Sequence, residues 1–377
     1  MGLLPLHHTR HHHTPHSKSP RSRTSSPSTR RRSGIILKRI ASLLVTVAIV
    51  GLWCARDLVY DSYTLAALPL FKWRQHGSSF YLSRESDGFD VTFESYPVNQ
   101  TSAVGTRLGW WGSGEEGYED RVPGILHHIA LGPQENQKEG WEEARERCVE
   151  LHPGWEAMLW TDEKAEELVR EHYPEMLALW EGQGGYKYGI QKVDALRYMV
   201  LYHYGGVILD MDLQCKRALG PLRRFDFVAP AANPTGFSIG FMMAEKGNTF
   251  VGELVANLKR YNRHWLGLPY PTVMFSTGCH YASTIHAFFK GDRSKLKILG
   301  GTKGNKKLHM LSGPVNTPLF KHLGSSSWHS YDAAMIVNLG KSVGESRWRL
   351  PIMFLFAGGL FFLIIRRIRR RVGGLKV

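Results

Sequence analysis

Asp210 and Asp212 are separated by one residue and follow directly on the apolar run Val207-Ile208-Leu209. On an extended strand the side chains alternate, so the two carboxylates share one side and Met211 takes the other. Two acidic groups converging at a strand end suit a hard divalent cation, Mn²⁺ or Mg²⁺, that completes its shell with phosphate oxygens such as those of a nucleotide diphosphate. The triplet alone is a weak signal, because two solvated acids at a strand end have the same spacing. The preceding segment adds to it. Gln191, Asp194 and Arg197 recur at helical spacing between apolar Ile190, Val193, Leu196 and Val200. An ordinary surface ion pair is the alternative for Asp194 and Arg197. The helix they occupy, Ile190 to Tyr204, ends at Gly205-Gly206 and feeds straight into the acidic strand, so the two elements are expected to pack side by side.

The elements around this pair alternate. Ile125 to Ala130 reads as a short strand, Trp141 to Leu151 as a helix, Trp155 to Trp160 as a second strand, and Asp162 to His172 as a helix capped by Thr161 or Asp162. Strand-helix units in sequence predict an α/β fold, doubly wound on a Rossmann-like parallel core, with ligands at the carboxyl ends of the strands. His127, near the end of the first strand, is then a candidate for nucleotide contact; a packed strand-end histidine is the other reading. Residues 56–120 show Gly-rich punctuation and no strong period, and read as a stem.

The chain has 377 residues, 43% of them hydrophobic and 11% aromatic, enough for a sizeable packed core. Its net charge of +15 would point to nucleic acid if spread over the fold. It is not: Arg10, Lys18, Arg21, Arg23, Arg30, Arg31, Arg32, Lys38 and Arg39 crowd the first 39 residues without an acid, and five arginines from Arg366 to Arg371 lie near the other end. Each basic tail abuts an apolar run, residues 40–55 and 350–365. Both read as membrane-spanning, although shorter than the usual roughly 20 residues. With positive charge kept cytoplasmic, residues 1–39 form a basic tail, disordered through about residue 33, and 366–377 a second tail, while the domain at 121–340 faces the lumen of the secretory pathway at the Golgi membrane. The sequon at Asn99 agrees with that side. Of the cysteines, Cys148 reads as a buried thiol on a helix, and a Cys215–Cys279 bridge is possible but undetermined.

The segment GYKYGIQKVDALRYMVLYHYGGVILDMD, residues 185–212, resembles the central motif of glycosyltransferase family 32. The similarity extends through VPGILHHIAL (122–131), CVELHPGWEAMLWTDE (148–163), FSTG (275–278) and GSSSWHSYD (324–332), covering roughly residues 120–340. Within that family the pattern is most similar to the fungal catalytic subunits of mannosylinositol phosphorylceramide synthase, which carry two spans. The resemblance implies a GT-A fold, retained anomeric configuration and a metal-bound nucleotide sugar. By the same resemblance Asp194 and Arg197 contact donor ribose and sugar, Asp210 touches the donor, Asp212 ligates the metal, and His329 completes the metal shell or holds the diphosphate. Departures from the pattern fall at Leu213-Gln214, at Ser238-Ile239-Gly240 and at Cys279.

The expected reaction is transfer of mannose from GDP-mannose to inositol phosphorylceramide. In it the cation and Arg197 offset charge on the departing diphosphate, and attack comes from the same face. A regulatory subunit is a further expected partner. Two alternatives stay open: a hexosyltransferase for protein-linked glycans, and a noncatalytic partner subunit. Two anchors would hold the domain close to the bilayer, which favours a lipid acceptor.

Overall fold

The computed structural model describes residues 27–54, 56, 60, 63–75, 80–96, 98, 119–133, 138–182, 184–232, 236–265, 267–324, 332–336 and 338. The chain divides into two units, Met1–Tyr60 and Asp61–Val377.

The first unit carries helix α1 (Pro27–Cys54). Its helical residues begin well inside the tail expected to be disordered. Over the apolar run its side chains stand open, with Leu43, Leu44, Val47 and Ile49 each about 60% exposed. Among the described residues no helix is long and apolar enough to cross a membrane. The second apolar run, 350–365, lies outside the described residues, as do the sequon at Asn99 and the tail 366–377.

The second unit is built on a six-stranded sheet. In chain order its regular elements are α2 (Leu68–Gln75), β1 (Ile125–Ile129), α3 (Trp141–Glu150), β2 (Glu156–Trp160), α4 (Asp162–His172), α5 (Gly189–Tyr204), β3 (Gly206–Leu209), β4 (Leu213–Cys215), β5 (Phe227–Pro230), β6 (Phe241–Ala244), α6 (Thr249–Tyr261), α7 (Pro269–Ser276), α8 (Cys279–Phe288), β7 (Leu296–Leu299), β8 (Val315–Asn316) and β9 (Phe320–His322). The sheet order is β2-β1-β3-β6-β5-β7. β2, β1 and β3 run parallel, as do β5 and β7, but β6 is antiparallel to both its neighbours. The expected parallel core is present in β2, β1 and β3, and β6 adds an antiparallel strand that makes the whole sheet mixed. Among the described residues no crossover helix separates β5 from β6, and an antiparallel bridge joins Ala231 to Phe237. A small antiparallel sheet, β4-β9-β8, lies beyond the end of β3.

The strands bury both faces with a period of two. Ile208, Met242, Ala244, Phe227 and Ala229 pack into one core with residues of α4, α5, α6 and α8. Val207, Leu209, Phe241, Met243 and Val228 pack into a second core on the other face, with Cys148 of α3. That second core also takes Leu82, Phe89 and Phe93, while Leu65, Trp73 and Phe80 belong to the first. Part of the stretch expected to be a stem is thus structural: Tyr81 bridges to Ile298 beside β7, and Asp90 ties its turn together by accepting from Ser95 and Thr92.

The cysteine expectations are corrected as well. Cys148 and Cys215 form a disulfide, and Cys279 is the free thiol. The bridge joins α3 to β4, the strand that starts immediately after Asp212, and β4 in turn pairs with β9.

Candidate active site

Helix α5 reaches the sheet through a turn that only glycine permits. Gly205 and Gly206 take φ of 69° and 95°, the left-handed region, and a Cβ on Gly206 would stand 2.7 Å from the carbonyl oxygen of Ile125. The chain leaves the helix and enters β3 with no intervening loop. Four buried residues later it presents Asp210 at the strand's carboxyl end, where the expected crevice lies.

A cavity of about 1140 Å³ opens there. The ends of β1 and β3, the first turns of α5, the Ser238–Gly240 segment and the start of α8 form its wall. Asp194, Arg197, Asp210 and Asp212 all line it. The helix and the acidic strand end meet as the spacing predicts. Arg197 is not a surface residue: its side chain is 7% exposed and forms an ion pair with Asp210. The guanidinium also approaches the carbonyl of Ile239 at 3.5 Å, and its Nε lies 3.6 Å from Asp194. Asp194 accepts a hydrogen bond from the Thr277 hydroxyl at 3.0 Å.

Burial raises the Asp194 carboxyl to about 7, against the pull of Arg197 and Thr277. Burial also pushes Asp210 upward, opposed by Arg197 and reinforced by the like charge of Asp212. Arg197 is held firmly protonated, because the two aspartates outweigh its own burial.

Asp212 has a different partner. Its Oδ2 lies 3.3 Å from Nε2 of His322, whose Nδ1 faces the carbonyl of Gly313 at 2.7 Å. Burial alone would lower the imidazole; the hydrogen bond and charge of Asp212 outweigh it, and the net shift is upward. His322 also lines the cavity. It arrives on β9, which pairs with β4 so that Leu213 stands opposite His322, and the Leu323 N–H donates to the Asp212 carbonyl at 2.9 Å. The sequence reading missed this residue. It lies six residues before Trp328, whereas the family resemblance points to His329, which lies outside the described residues.

His127 is a correction. Its side chain is fully buried, with Nε2 2.9 Å from the Gly205 carbonyl and Nδ1 accepting from the Trp160 indole at 3.2 Å. Both ring nitrogens are used inside the core, and burial lowers the ring to about 4, which keeps it neutral. It locks the Gly205 turn to β1 and has no nitrogen left for a nucleotide.

Among the described residues no three His, Cys, Asp or Glu side chains group closely enough to hold a metal ion by themselves. Asp212 and His322 nonetheless offer an oxygen and a nitrogen donor side by side on the cavity wall. That pair fits a cation whose remaining ligands come from phosphate and water, and an imidazole suits Mn²⁺ better than Mg²⁺.

The site is thus a mixed α/β sheet with an acidic pair and a buried arginine at the carboxyl edge of its parallel strands. Residues 138–229 match the family model described as a glycosyltransferase sugar-binding region containing a DXD motif. Over 273 residues the chain is 31% identical to inositol phosphoceramide mannosyltransferase 1 of Schizosaccharomyces pombe, covering 69% of this chain and 78% of that protein. Over 219 residues it is 36% identical to mannosyl phosphorylinositol ceramide synthase SUR1 of Saccharomyces cerevisiae, covering 57% of this chain and 54% of that one. The matched region thus spans about half the length of the budding-yeast relative. Among solved structures the PaToxG glycosyltransferase aligns with a TM-score of 0.33 at 14% identity, over 44% of this chain and 68% of that chain. The chain belongs to the DXD-containing glycosyltransferase family, whose members generally work with a divalent cation.

Proposed function

We propose that this glycosyltransferase moves mannose from GDP-mannose to the inositol headgroup of inositol phosphorylceramide, on a GT-A scaffold at the lumenal face of the Golgi membrane. The names of its relatives support the sugar and the acceptor. The observation that carries the reading is the division of labour at the strand end: Asp210 is tied to Arg197, while Asp212 and His322 stand together on the wall of the same cavity.

In this reading Asp212 and His322 hold the divalent cation, with His329 as a further candidate. When bound, the cation offsets negative charge on the departing diphosphate. Arg197 fixes Asp210 in one orientation and favours its charged form against the burial that raises its pKa, so the donor meets a preorganised edge that need not rearrange during the reaction. Each carboxylate of the cavity wall already has a partner: Asp162 the Gly132 N–H, Asp194 the Thr277 hydroxyl, Asp210 the arginine and Asp212 the histidine. A carboxylate so engaged is a poor nucleophile, which supports same-face attack with retention over a covalent double displacement. Met211, Ile239 and Met274 give part of the wall an apolar character suited to a lipid acceptor. The open apolar surface of α1 supports an anchor that brings the domain to that lipid.

The test is a transfer assay with the full chain in membranes lacking other mannosyltransferases of this kind. GDP-mannose and UDP-sugars are offered with inositol phosphorylceramide or a glycopeptide. Mannosylated lipid formed from GDP-mannose alone is the expected product. Transfer to the glycopeptide would move the acceptor to protein-linked glycans, and turnover that appears only with a second polypeptide would establish the regulatory subunit.

A further inference from the structure

Helix α5 does more than present Arg197. Along one stripe it latches the turn between α7 and α8. The Gln191 amide donates to the Ser276 hydroxyl at 2.7 Å, Asp194 accepts from the Thr277 hydroxyl at 3.0 Å, and the Tyr198 hydroxyl donates to the Thr277 carbonyl. All five residues are buried, Gln191, Tyr198, Ser276 and Thr277 completely. The next two residues, Gly278 and Cys279, form part of the cavity wall.

The geometry points to Thr277 as a positioning residue for sugar transfer: by holding the Asp194 carboxylate, it keeps Arg197 directed at Asp210. The reason is competition for one guanidinium. The near oxygen of Asp194 lies 3.6 Å from Arg197 Nε, beyond hydrogen-bond length, and that Nε is buried without a hydrogen-bond partner. A carboxylate released from Thr277 needs only a small rotation to bond the free Nε. Arg197, now ion-paired to Asp194 without a hydrogen bond, would then hydrogen-bond both acids, and its grip on Asp210 would loosen. The Thr277 hydroxyl holds the nearer acid back, and the Tyr198 bond to the same residue's carbonyl fixes the hydroxyl's own position.

The proposal rests on the glycosyltransferase reading but on no particular donor or acceptor. Its test is a double-mutant cycle in the full chain. Thr277→Val keeps the side-chain shape and removes the hydroxyl; it should lower kcat about ten-fold, roughly the worth of one hydrogen bond to a charged group, with the donor KM changed less than about two-fold. Thr277→Ser should recover most of the rate. Thr277→Val combined with Asp194→Asn should be no slower than Asp194→Asn alone, because residues acting through one contact are not additive. The same ratios should hold in the slow hydrolysis of nucleotide sugar without acceptor, so a wrong acceptor leaves them intact. If Thr277→Val misfolds, the cycle runs with Thr277→Ala. A hydroxyl-free variant with wild-type kcat, losses that multiply in the double mutant, or failure of serine to rescue would each overturn the role.

Discussion

The segment from α5 to Asp212 and the segment from Tyr63 to Tyr96 are both buried against the same sheet, yet they serve opposite ends. The first places charge where a strand ends: Arg197, Asp194, Asp210 and Asp212 concentrate at the cavity. The second supplies bulk: Leu65, Trp73, Phe80, Phe89 and Phe93 fill the two cores, and its well-bonded acids are spent on scaffolding, Asp90 on its own turn and Asp87 on its own turn and Lys297 of β7. Burial therefore does not distinguish chemistry from scaffolding here. Whether a charged group turns toward the cavity or back into its own loop does.

If that contrast is right, the largest effect falls on turnover. Asp212→Asn should cut metal-dependent transfer by about 10³-fold or more per folded molecule, with a stability loss of on the order of 1–3 kcal/mol from weakening its buried bond to His322. Turnover within ten-fold of wild type would remove Asp212 from the chemistry. Phe89→Ala should do the reverse. A fully buried ring replaced by a methyl costs about 3–5 kcal/mol in denaturant unfolding, with kcat per folded molecule kept.

Arg197→Lys comes next. An ammonium cannot reproduce the planar fork between Asp210 and the Ile239 carbonyl, and turnover should fall about 10²-fold. Normal activity would reduce Arg197 to a buried ion pair of no catalytic weight.

The smallest effect tests the second segment by pH. Asp90 is drawn down to about 2, because its bonds from Ser95 and Thr92 outweigh the cost of its burial. A depressed carboxylate adds stability that is present above its unfolded pKa of about 4 and is lost as pH falls through about 2. Asp90→Asn should thus be less stable than wild type by on the order of 1–2 kcal/mol at pH 7, after allowing for solvent screening, and the gap should close on acidification. A gap that is constant with pH would mean the loss is one of shape.

The two segments also differ in how far the sequence reveals them. Helix α5 has apolar residues at helical spacing and ends at a glycine pair, and the acids follow without a loop, so local pattern suffices. The Tyr63–Tyr96 segment has no period: a π-helical turn, a short helix, a single turn at Arg84–Asp87 and four buried aromatics, Trp73, Phe80, Phe89 and Phe93, at irregular intervals, whose burial is decided by the sheet they reach. His322 was hidden for a related reason. Its strand is three residues long and pairs with β4, far away in sequence, so nothing nearby signals that it will stand beside Asp212. The cysteine pairing was equally nonlocal, and the return of the chain into β6 left the parallel reading one strand short. His127 misled because a strand-end position fits a ligand contact and a core contact equally well.

The most direct measurement is Mn²⁺ binding followed by electron paramagnetic resonance, with guanosine diphosphate present, in the metal-stripped full chain and in its Asp212→Asn and His322→Ala variants. The account expects a bound-ion signal that saturates at one Mn²⁺ per wild-type chain, weakens at least ten-fold in affinity with His322→Ala and is lost with Asp212→Asn. Equal binding by all three proteins would contradict it, because the cation would then be held somewhere other than the wall that Asp212 and His322 form.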